Sequence, residues 1–336
     1  MNYAPPFVFT SKIVNLIADI SEKIGIFTAV SENPLHVELR RKNRIQTIHS
    51  SLAIENNSLS IEQITAIIEG KRVWGAPNEI QEVKNAVQAY ELLLDLDPYN
   101  EHDLLRAHRL MMADLVDGNG KYRTDGVGIF NGEGLVHIAP PADRVPFLMS
   151  DLFAWLKESD VHPLIKSCVF HYEFEFIHPF QDGNGRMGRL WQTVILKEWK
   201  GVFAWLPVET MIKENQSDYY ETLKVSDKNA DSTAFIEFML DIILKEIEKN
   251  IAKQDKVTVK VPANVTLKVP AKVTVNQEKI IQAIKDNPYV TQSEIAELVG
   301  ISIKSIKENM KKLQDLDILH RVGADKNGYW EIVKER

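Results

Sequence analysis

The sequence predicts a mainly α-helical protein with a small β-hairpin and a C-terminal winged helix. Three observations predict this fold class: apolar residues recur at helical spacing over nearly all of residues 11–250, two short β-type runs flank an Asn-Gly sequence at Asn131, and a helix-helix-helix-strand-strand pattern fills residues 277–336. No apolar run approaches the roughly 20 residues that a membrane-spanning helix needs. We therefore expect a cytoplasmic protein without membrane contact.

The composition is that of a globular chain: 336 residues, 44% of them hydrophobic and 26% charged. Its net charge of −7 is unevenly distributed. Residues 251–336 carry 15 Lys and Arg against 11 Asp and Glu, whereas the residues before them carry 25 against 36. The acidic part is therefore not a general nucleic-acid binder, but the basic C-terminal part could be one.

The helical pattern of the first part divides into separate helices. Those predicted are Ser11–Ile24, Pro34–Glu55, Ile61–Glu69, Glu79–Leu96, Glu101–Val116, Arg144–Glu158, Pro163–Phe176, Arg186–Lys200 and Ser232–Ile251. Ser60 with Gln63 is a capping box, and Gly70 is a helix stop. Val127–Phe130 and Leu135–Ile138 surround Asn131-Gly132-Glu133-Gly134, which predicts a β-hairpin.

A repeat of period eight occupies residues 257–275, with Val-Thr-Val-Lys-Val-Pro-Ala-Asn followed by Val-Thr-Leu-Lys-Val-Pro-Ala-Lys and Val-Thr-Val. Pro262 and Pro270 exclude a central strand, so the repeat is interpreted as an extended spacer. The predicted domains are a helical region over residues 1–100, a second helical core over 101–252, a linker over 253–276 and a winged helix-turn-helix over 277–336.

The winged helix is predicted from local signals. These are helical spacing over Lys279–Lys285, a capping box of Thr291 with Glu294, a turn at Gly300, a helix from Ser302 to Gln314, and strands Ile318–Val322 and Tyr329–Val333 around Asp325-Lys326-Asn327-Gly328. Lys304, Lys307, Lys311 and Lys312 line the third helix, where a DNA reader needs phosphate contacts. Such modules also mediate protein contacts, so both DNA and protein stay open as partners.

The chemistry is concentrated in twelve residues from His178 to Arg189, His-Pro-Phe-Gln-Asp-Gly-Asn-Gly-Arg-Met-Gly-Arg. The glycine-rich piece lies just before a predicted helix, where unpaired N–H groups and the helix dipole favour an anion. Gly183 and Gly185 let the backbone approach a phosphate without an intervening Cβ. Arg186 and Arg189, three apart, share a helix face and can bracket a polyphosphate.

Two further groups complete a phosphate-transfer site. Asp182 offers the hard oxygen ligand that Mg²⁺ prefers, beside the phosphates it would bridge. The imidazole of His178 can take a proton from an attacking hydroxyl near pH 7. A second Asp-Gly-Asn-Gly at residues 117–120 is interpreted as an ordinary loop, because Ala113 and Lys121 stand where the histidine and first arginine would be.

This run resembles, at each defining position, the signature of the Fic family, His-x-Phe-x-Asp/Glu-Gly-Asn-Gly-Arg-x-x-Arg. The resemblance extends from about Leu35 to Ile251. It implies an all-helical Fic-type core and transfer of AMP from ATP, with Mg²⁺, to a Tyr, Thr or Ser hydroxyl of a target protein or of the chain itself. It implies these roles: His178 as base, Asp182 as metal ligand, and Gly183, Asn184, Gly185, Arg186 and Arg189 as nucleotide-binding residues; Phe180 is expected to anchor the loop.

The resemblance continues upstream of the motif. Gly120, Tyr122, Arg123, the hairpin and Pro140-Pro141 look like the family's flap, which pairs with the target as an added strand. The expected docking strand consists of Gly134, Leu135, Val136, His137 and Ile138. The target itself and its modified residue cannot be identified from the sequence, and a homodimer is expected by resemblance alone.

Ser51-Leu52-Ala53-Ile54-Glu55-Asn56 resembles the family's inhibitory motif, Ser/Thr-x-x-x-Glu-Gly/Asn. The inhibitory residues are then Ser51, Glu55 and Asn56, and Glu55 is expected to pair with Arg189 where the γ-phosphate of ATP would bind. On spacing alone, the alternative is that Glu55 simply ends a helix beside an asparagine stop.

Other functions stay open. Family members that act as kinases carry lysine at the position of Gly185, which argues against that reaction here. The loop contacts phosphates and not the base, so transfer from another nucleotide stays an alternative. Removal of AMP from a modified protein is a second alternative. A different class of function is a DNA-binding regulator whose Fic domain senses nucleotide or modifies itself.

Overall fold

The computed structural model describes residues 3–31, 37–131, 134–258, 275–288, 290–299, 301–315, 318–322 and 329–332. It divides into two compact units, Met1–Asp255 and Lys256–Arg336. The repeat at residues 259–274, the predicted helix start at Pro34, the hairpin turn at 132–133, Gly300 and the wing turn at 325–328 lie outside the described residues. The finer domain boundaries given above stay predictions.

The first unit is helical, as predicted. Its helices are α1 (Ser11–Ser31), α2 (Val37–Ile54), α3 (Ile61–Ile68), α4 (Pro77–Glu91), α5 (Glu101–Met111), α6 (Val145–Glu158), α7 (Pro163–Ile177), α8 (Asn184–Trp199), α9 (Val208–Glu214), α10 (Gln216–Asn229) and α11 (Thr233–Thr258). Short 3₁₀ turns occupy Leu92–Asp95, Ala142–Arg144 and Gly201–Trp205. No helix in the described ranges is long and apolar enough to cross a bilayer.

Local signals fix most helix ends. Ser60 and Gln63 form the predicted capping box, and Gly70 follows the end of α3 with a φ of 72° that favours glycine. Helix α5 ends at Met111, before the predicted Val116, and Asp114 just beyond it adopts a left-handed conformation. Helix α8 begins at Asn184, two residues earlier than predicted, because Gly183 is its N-cap.

Helices α7 and α8 form the centre of the unit and pack extensively against each other. Apolar residues of α7 belong to two buried groups. Phe170 and Phe174 join side chains from α2, α4, α5, α6 and α8, while Cys168 and Val169 join side chains from α1, α9 and α11. A helix buried on all sides is held rigidly, so the loop that joins α7 to α8 is fixed at both ends.

The predicted hairpin is formed by β1 (Gly128–Asn131) and β2 (Gly134–Ile138), which pair antiparallel with Gly128 opposite Ile138. A register shift lies between Ile129 and Phe130. Strand β2 approaches α10.

The second unit is the predicted winged helix. It contains α12 (Val275–Asp286), α13 (Gln292–Val299), α14 (Ile303–Asp315) and the antiparallel strands β3 (Leu319–Val322) and β4 (Tyr329–Ile332). Thr291 and Glu294 form the capping box of α13. Ile280, Ile295, Ile306 and Leu313 make its core.

Candidate active site

The loop between α7 and α8 has a backbone that its sequence requires. His178 ends α7 in the left-handed conformation, with φ 49° and ψ 62°, and Gly183 caps α8 with φ 83°. A Cβ on Gly183 would lie 2.6 Å from the Sδ of Met112, so close packing also demands glycine there. The N–H groups of the first turn of α8 have no partners within the helix. They are the groups that the sequence predicts to bind an anion.

Asn184 fixes the shape of this loop. Its Oδ1 accepts from the backbone N–H of Phe180 at 2.8 Å, and its Nδ2 donates to the carbonyl of Phe180 at 2.8 Å. The Asn184 side chain is therefore turned into the loop, and its backbone N–H is the group left for a phosphate. Phe180 is fully buried and anchors the loop.

His108 contacts the loop at Phe180 and at the carbonyl of Asp182. Its ring stacks on Phe180 with centroids 3.6 Å apart and planes 9° apart. Its Nδ1 accepts from the N–H of Gly120 at 2.8 Å, so Nε2 carries the proton and donates to the carbonyl of Asp182 at 3.0 Å. Burial lowers the pKa of His108 to about 4, which keeps the ring neutral. The second Asp-Gly-Asn-Gly thus has a structural use that the sequence analysis missed.

Arg123 clamps the other end of the loop. It is buried, and its Nε donates to the carbonyl of His178 at 2.8 Å. Its Nη atoms donate to the carbonyls of Asp125 at 2.9 Å, Pro140 at 2.5 Å and Ile177 at 3.3 Å. The guanidinium therefore joins the candidate base to the two backbone segments that flank the hairpin. The sequence analysis named Arg123 as part of the flap and missed this contact; a buried guanidinium gives no local sequence signal.

Arg186 is almost fully buried between two carboxylates. Its Nη1 lies 3.1 Å from Oε1 of Glu82, and its Nη2 lies 3.2 Å from Oδ1 of Asp182. Glu82 comes from α4 and was not identified from the sequence. Arg186 therefore does not present a free guanidinium to the site, because both of its Nη atoms lie beside carboxylates.

Asp182 is the residue that could hold Mg²⁺, the metal implied by the resemblance. Its side chain is 56% exposed, and its Oδ1 also accepts from the N–H of Gly183. Within the described ranges no three His, Cys, Asp or Glu residues cluster as a protein metal site. A single exposed carboxylate beside an anion site fits Mg²⁺, which takes one or two carboxylates together with phosphate oxygens and water.

The candidate inhibitory residues meet Arg189. Nη2 of Arg189 lies 2.7 Å from Oε1 of Glu55 and 3.0 Å from the carbonyl of Ser51, and its Nε lies 3.3 Å from Oγ of Ser51. Burial lowers the pKa of Arg189, but the charge and hydrogen bond of Glu55, together with the charges of Tyr219 and Glu175, outweigh burial and raise it. Asn56 turns the chain with φ 69°, a conformation that asparagine and glycine tolerate.

Glu55 lies directly over the anion loop. A Cβ on Gly185 would overlap with its Oε1, and 33% of the Glu55 side chain is exposed. The structure therefore brings Glu55, Gly185 and Arg189 together at the N-terminus of α8. His178 is half-buried at the end of α7, and its Nδ1 lies 3.4 Å from the carbonyl of Glu175.

The expected docking strand is described by its backbone. Gly134, Leu135, Val136, His137 and Ile138 form β2 and pair with β1. Their side chains lie outside what the structure describes, so their part in target docking stays a prediction.

A helical core with a glycine-rich anion loop at a helix N-terminus, joined to a winged helix, defines the class of this protein. Residues 98–196 match the Fic/DOC family, and residues 275–319 match the winged helix-turn-helix DNA-binding family. The chain is similar to a Fic family protein from Desulfovibrio desulfuricans G20 of known crystal structure, with 46% identity, 99% of both chains covered and a TM-score of 0.73. The chain belongs to the Fic family.

Two further relatives carry a name that states an activity. The chain is 28% identical over 247 residues to the protein adenylyltransferase Fic of Culex quinquefasciatus, with 69% of this chain and 47% of the relative covered. It is 26% identical over 257 residues to that of Aedes aegypti, with 72% and 49% covered. The chain thus spans about half the length of these relatives.

Proposed function

We propose that this chain transfers AMP from ATP to a Tyr, Thr or Ser hydroxyl of a target protein or of itself, and that Glu55 inhibits the reaction. The observation that carries the proposal is the N-terminus of α8, where the glycine-rich loop, Arg189 and the carboxylate of Glu55 meet. An anion site already occupied by a carboxylate fits a self-inhibited phosphate-transfer enzyme. The names of the insect relatives support adenylyl transfer.

In the proposed reaction, His178 accepts the proton of the target hydroxyl. The hydroxyl oxygen then forms a bond to the α-phosphorus of ATP, and the bond from that phosphorus to the bridging oxygen of pyrophosphate breaks. The N–H groups of Gly183, Asn184 and Gly185 bind phosphate oxygens. Asp182 would hold Mg²⁺, which neutralises phosphate charge when bound. Catalysis of this kind consists mainly of positioning and charge stabilisation.

The reaction also needs a fixed base. Four backbone carbonyls accept from Arg123, and those of Ile177 and His178 lie where helix α7 leads into the catalytic loop. Asn184 and His108 hold the loop from the other side. Because these contacts fix His178 and the loop before substrate binds, little conformational freedom is lost in the reaction, and this supports catalysis by positioning of the reacting groups.

Inhibition follows from competition between two anions. The carboxylate of Glu55 and the γ-phosphate of ATP both need Arg189, and the Glu55 oxygen also covers Gly185. A nucleotide bound beside Glu55 would be displaced from the pose in which its α-phosphorus faces His178. We therefore infer weak transfer by the native chain.

The test is transfer of label from α-³²P-ATP, with Mg²⁺ and lysate as a source of targets. The native chain is compared with Glu55→Gly and with Glu55→Gly combined with His178→Ala. We expect faint label with the native chain, strong label with Glu55→Gly and no label with the double variant. Label that persists without His178 would contradict its role as base. If none of the three takes up label, the same comparison should be repeated with γ-labelled ATP, UTP and CTP. Release of label from modified protein would test the reverse reaction, removal of AMP.

A second function is favoured by the winged helix. Residues 275–319 match a DNA-binding family, and Lys304, Lys307, Lys311 and Lys312 are exposed along α14. The chain could then be a DNA-bound regulator whose Fic domain senses nucleotide or modifies itself. A gel shift with random duplex at low salt tests this, since non-specific phosphate contacts dominate there. Lack of any shift would exclude the regulator.

A homodimer is also part of the proposal, carried by family resemblance. Light scattering of the purified chain measures it directly. A monomeric mass at micromolar concentration would remove it.

A further inference from the structure

Glu82 joins the anion loop to the segment that follows the inhibitory helix. Its Oε1 lies 3.1 Å from Nη1 of Arg186, and its Oε2 accepts from Nδ2 of Asn57 at 2.7 Å. Arg186 is 4% exposed, Asn57 7% and the Glu82 side chain 21%. Charge-assisted hydrogen bonds at such shielded positions are among the stronger polar contacts in proteins.

Arg186 depends on this carboxylate for its orientation. Its Nε is buried and has no hydrogen-bond partner in the described structure, so the two Nη atoms carry its contacts. One contact goes to Glu82, and the other goes to Asp182, whose side chain is 56% exposed. Glu82 is the more shielded of the two. Without it, the guanidinium would be held by Asp182 alone.

Two opposing effects decide what Glu82 does for a bound nucleotide. Its negative charge near an anion site repels phosphate, and its hydrogen bond fixes the guanidinium beside the first turn of α8. Arg186 is buried and cannot reorient freely in solvent. Without Glu82, its charge would be shared with Asp182 alone, the carboxylate that is proposed for Mg²⁺ and already lies 3.2 Å from its Nη2. Orientation should therefore outweigh repulsion.

We propose that Glu82 is a positioning residue that holds Arg186 toward the β- and γ-phosphates of the nucleotide. The inference rests on the proposed nucleotide site at α8. It assigns to α4 a direct part in nucleotide recognition. It also predicts a dependence on the number of phosphates: the affinity for AMP, which lacks the outer phosphates, should not change when Glu82 is replaced.

The experiment measures the affinity of ATP, ADP and AMP by calorimetry in the Glu55→Gly chain. Glu82→Gln keeps the shape of the side chain and removes its charge. We expect ATP and ADP to bind roughly tenfold more weakly, the equivalent of one charge-assisted hydrogen bond, and AMP to bind unchanged. Adding Glu82→Gln to an Arg186→Gln chain should cause no further loss.

Two matched variants separate the contacts of Glu82. Asn57→Ala removes the other hydrogen-bond partner of Glu82. Glu79→Gln, one turn earlier on α4, weakens the bond from the N–H of Ser58, which lies 2.6 Å from Oε1 of Glu79. Neither variant touches Arg186, so both should bind ATP like the parent. If Glu82→Gln does not fold, Glu82→Asp is a second test. This variant should weaken ATP binding by a smaller factor than Glu82→Gln.

Several outcomes would overturn the inference. Tighter ATP binding by Glu82→Gln would make Glu82 a brake instead of a positioning residue. Equal loss for all three nucleotides, or a loss that persists without Arg186, would mean a structural role. If no adenine nucleotide binds, both this inference and the proposed function fail. If ATP and ADP binding responds as expected but label transfer is absent, only the proposed function fails.

Discussion

Nη2 of Arg189 lies 2.7 Å from Oε1 of Glu55, although 134 residues separate the two in the chain. The arginine is 1% exposed and the glutamate 33%, so one partner is fixed in the core and the other is at the edge of the site. An ion pair with one movable partner can open without unfolding the helix that carries the fixed partner. This asymmetry makes the end of α2 the part of the molecule through which the proposed inhibition should be released.

The first prediction concerns the attachment of that helix end. Lys213 donates to the carbonyl of Ala53 at 2.7 Å, and Gln216 donates to the carbonyl of Ile54 at 3.1 Å. Lys213→Met should loosen Glu55 and raise label transfer by the native chain roughly fivefold, the equivalent of about 1 kcal/mol. Lys249→Met, which breaks an exposed pair with Glu214, serves as control and should leave transfer unchanged. Equal transfer by both variants would argue against this attachment.

The second prediction concerns the clamp on the candidate base. Arg123→Lys replaces a fork of donors by a single ammonium, so several carbonyls around His178 lose their partner. We expect the free energy of unfolding in urea to fall by about 2–4 kcal/mol. Transfer by the Glu55→Gly chain should fall as well, with kcat affected more than the KM for ATP. Arg106→Lys, at an exposed site on α5, should change neither quantity.

The third prediction is a pH dependence of stability from His108. Burial lowers its pKa to about 4, below the ordinary value of 6.5. The unfolded chain therefore binds a proton that the folded chain does not, and stability is lost as the pH falls from about 6.5 to 4. His171, with a pKa lowered to about 3 by burial, acts in the same direction.

The variant His108→Gln isolates the contribution of this ring. Unfolding free energies measured between pH 6.5 and 4.5 should show a slope smaller by about 1.4 kcal/mol per pH unit than in the native chain, the value for one proton. An unchanged slope would mean that His108 is protonated in the folded chain. That result would contradict its acceptor role toward Gly120.

The fourth prediction concerns Glu175, which should make the protein less stable as the pH rises, the opposite of the effect of His108. Burial raises its pKa to about 8, with Arg189 lowering it and Glu55 raising it. Below pH 4.5 both folded and unfolded chains hold the proton; between 4.5 and 8 only the folded chain does, so stability falls as the pH rises. Glu175→Gln should therefore be more stable than the native chain at pH 8 by up to about 4 kcal/mol, and equal to it near pH 4.5. Thermal unfolding at the two pH values checks this.

The dependence of Glu175 on Glu55 gives a further check on the same pair of measurements. In the Glu55→Gly chain one cause of the raised pKa is removed. The gain from Glu175→Gln at pH 8 should then be smaller. An equal gain in both backgrounds would separate Glu175 from the inhibitory pair.

The fold class and the loop could be predicted because their signals are local. Helical spacing, the capping boxes at Ser60 and Thr291, and the stop at Gly70 each act within a few residues. The twelve residues from His178 to Arg189 contain their own turn, with His178 and Gly183 in the left-handed conformation that glycine adopts readily. The sequence by itself therefore determined the helical core, the winged helix and the turn of the glycine-rich loop.

Only the tertiary structure decided how that loop is held. The partner of Arg186 lies 104 residues away in Glu82, His108 lies 74 residues from the Asp182 carbonyl, and Arg123 lies 55 residues from the His178 carbonyl. The spacing of residues on each helix predicts which side chains share a face, but not which other helix that face will meet. Such pairings follow from the packing of α4, α5, α7 and α8 around one core, because contacts between distant segments depend on how whole helices fit together.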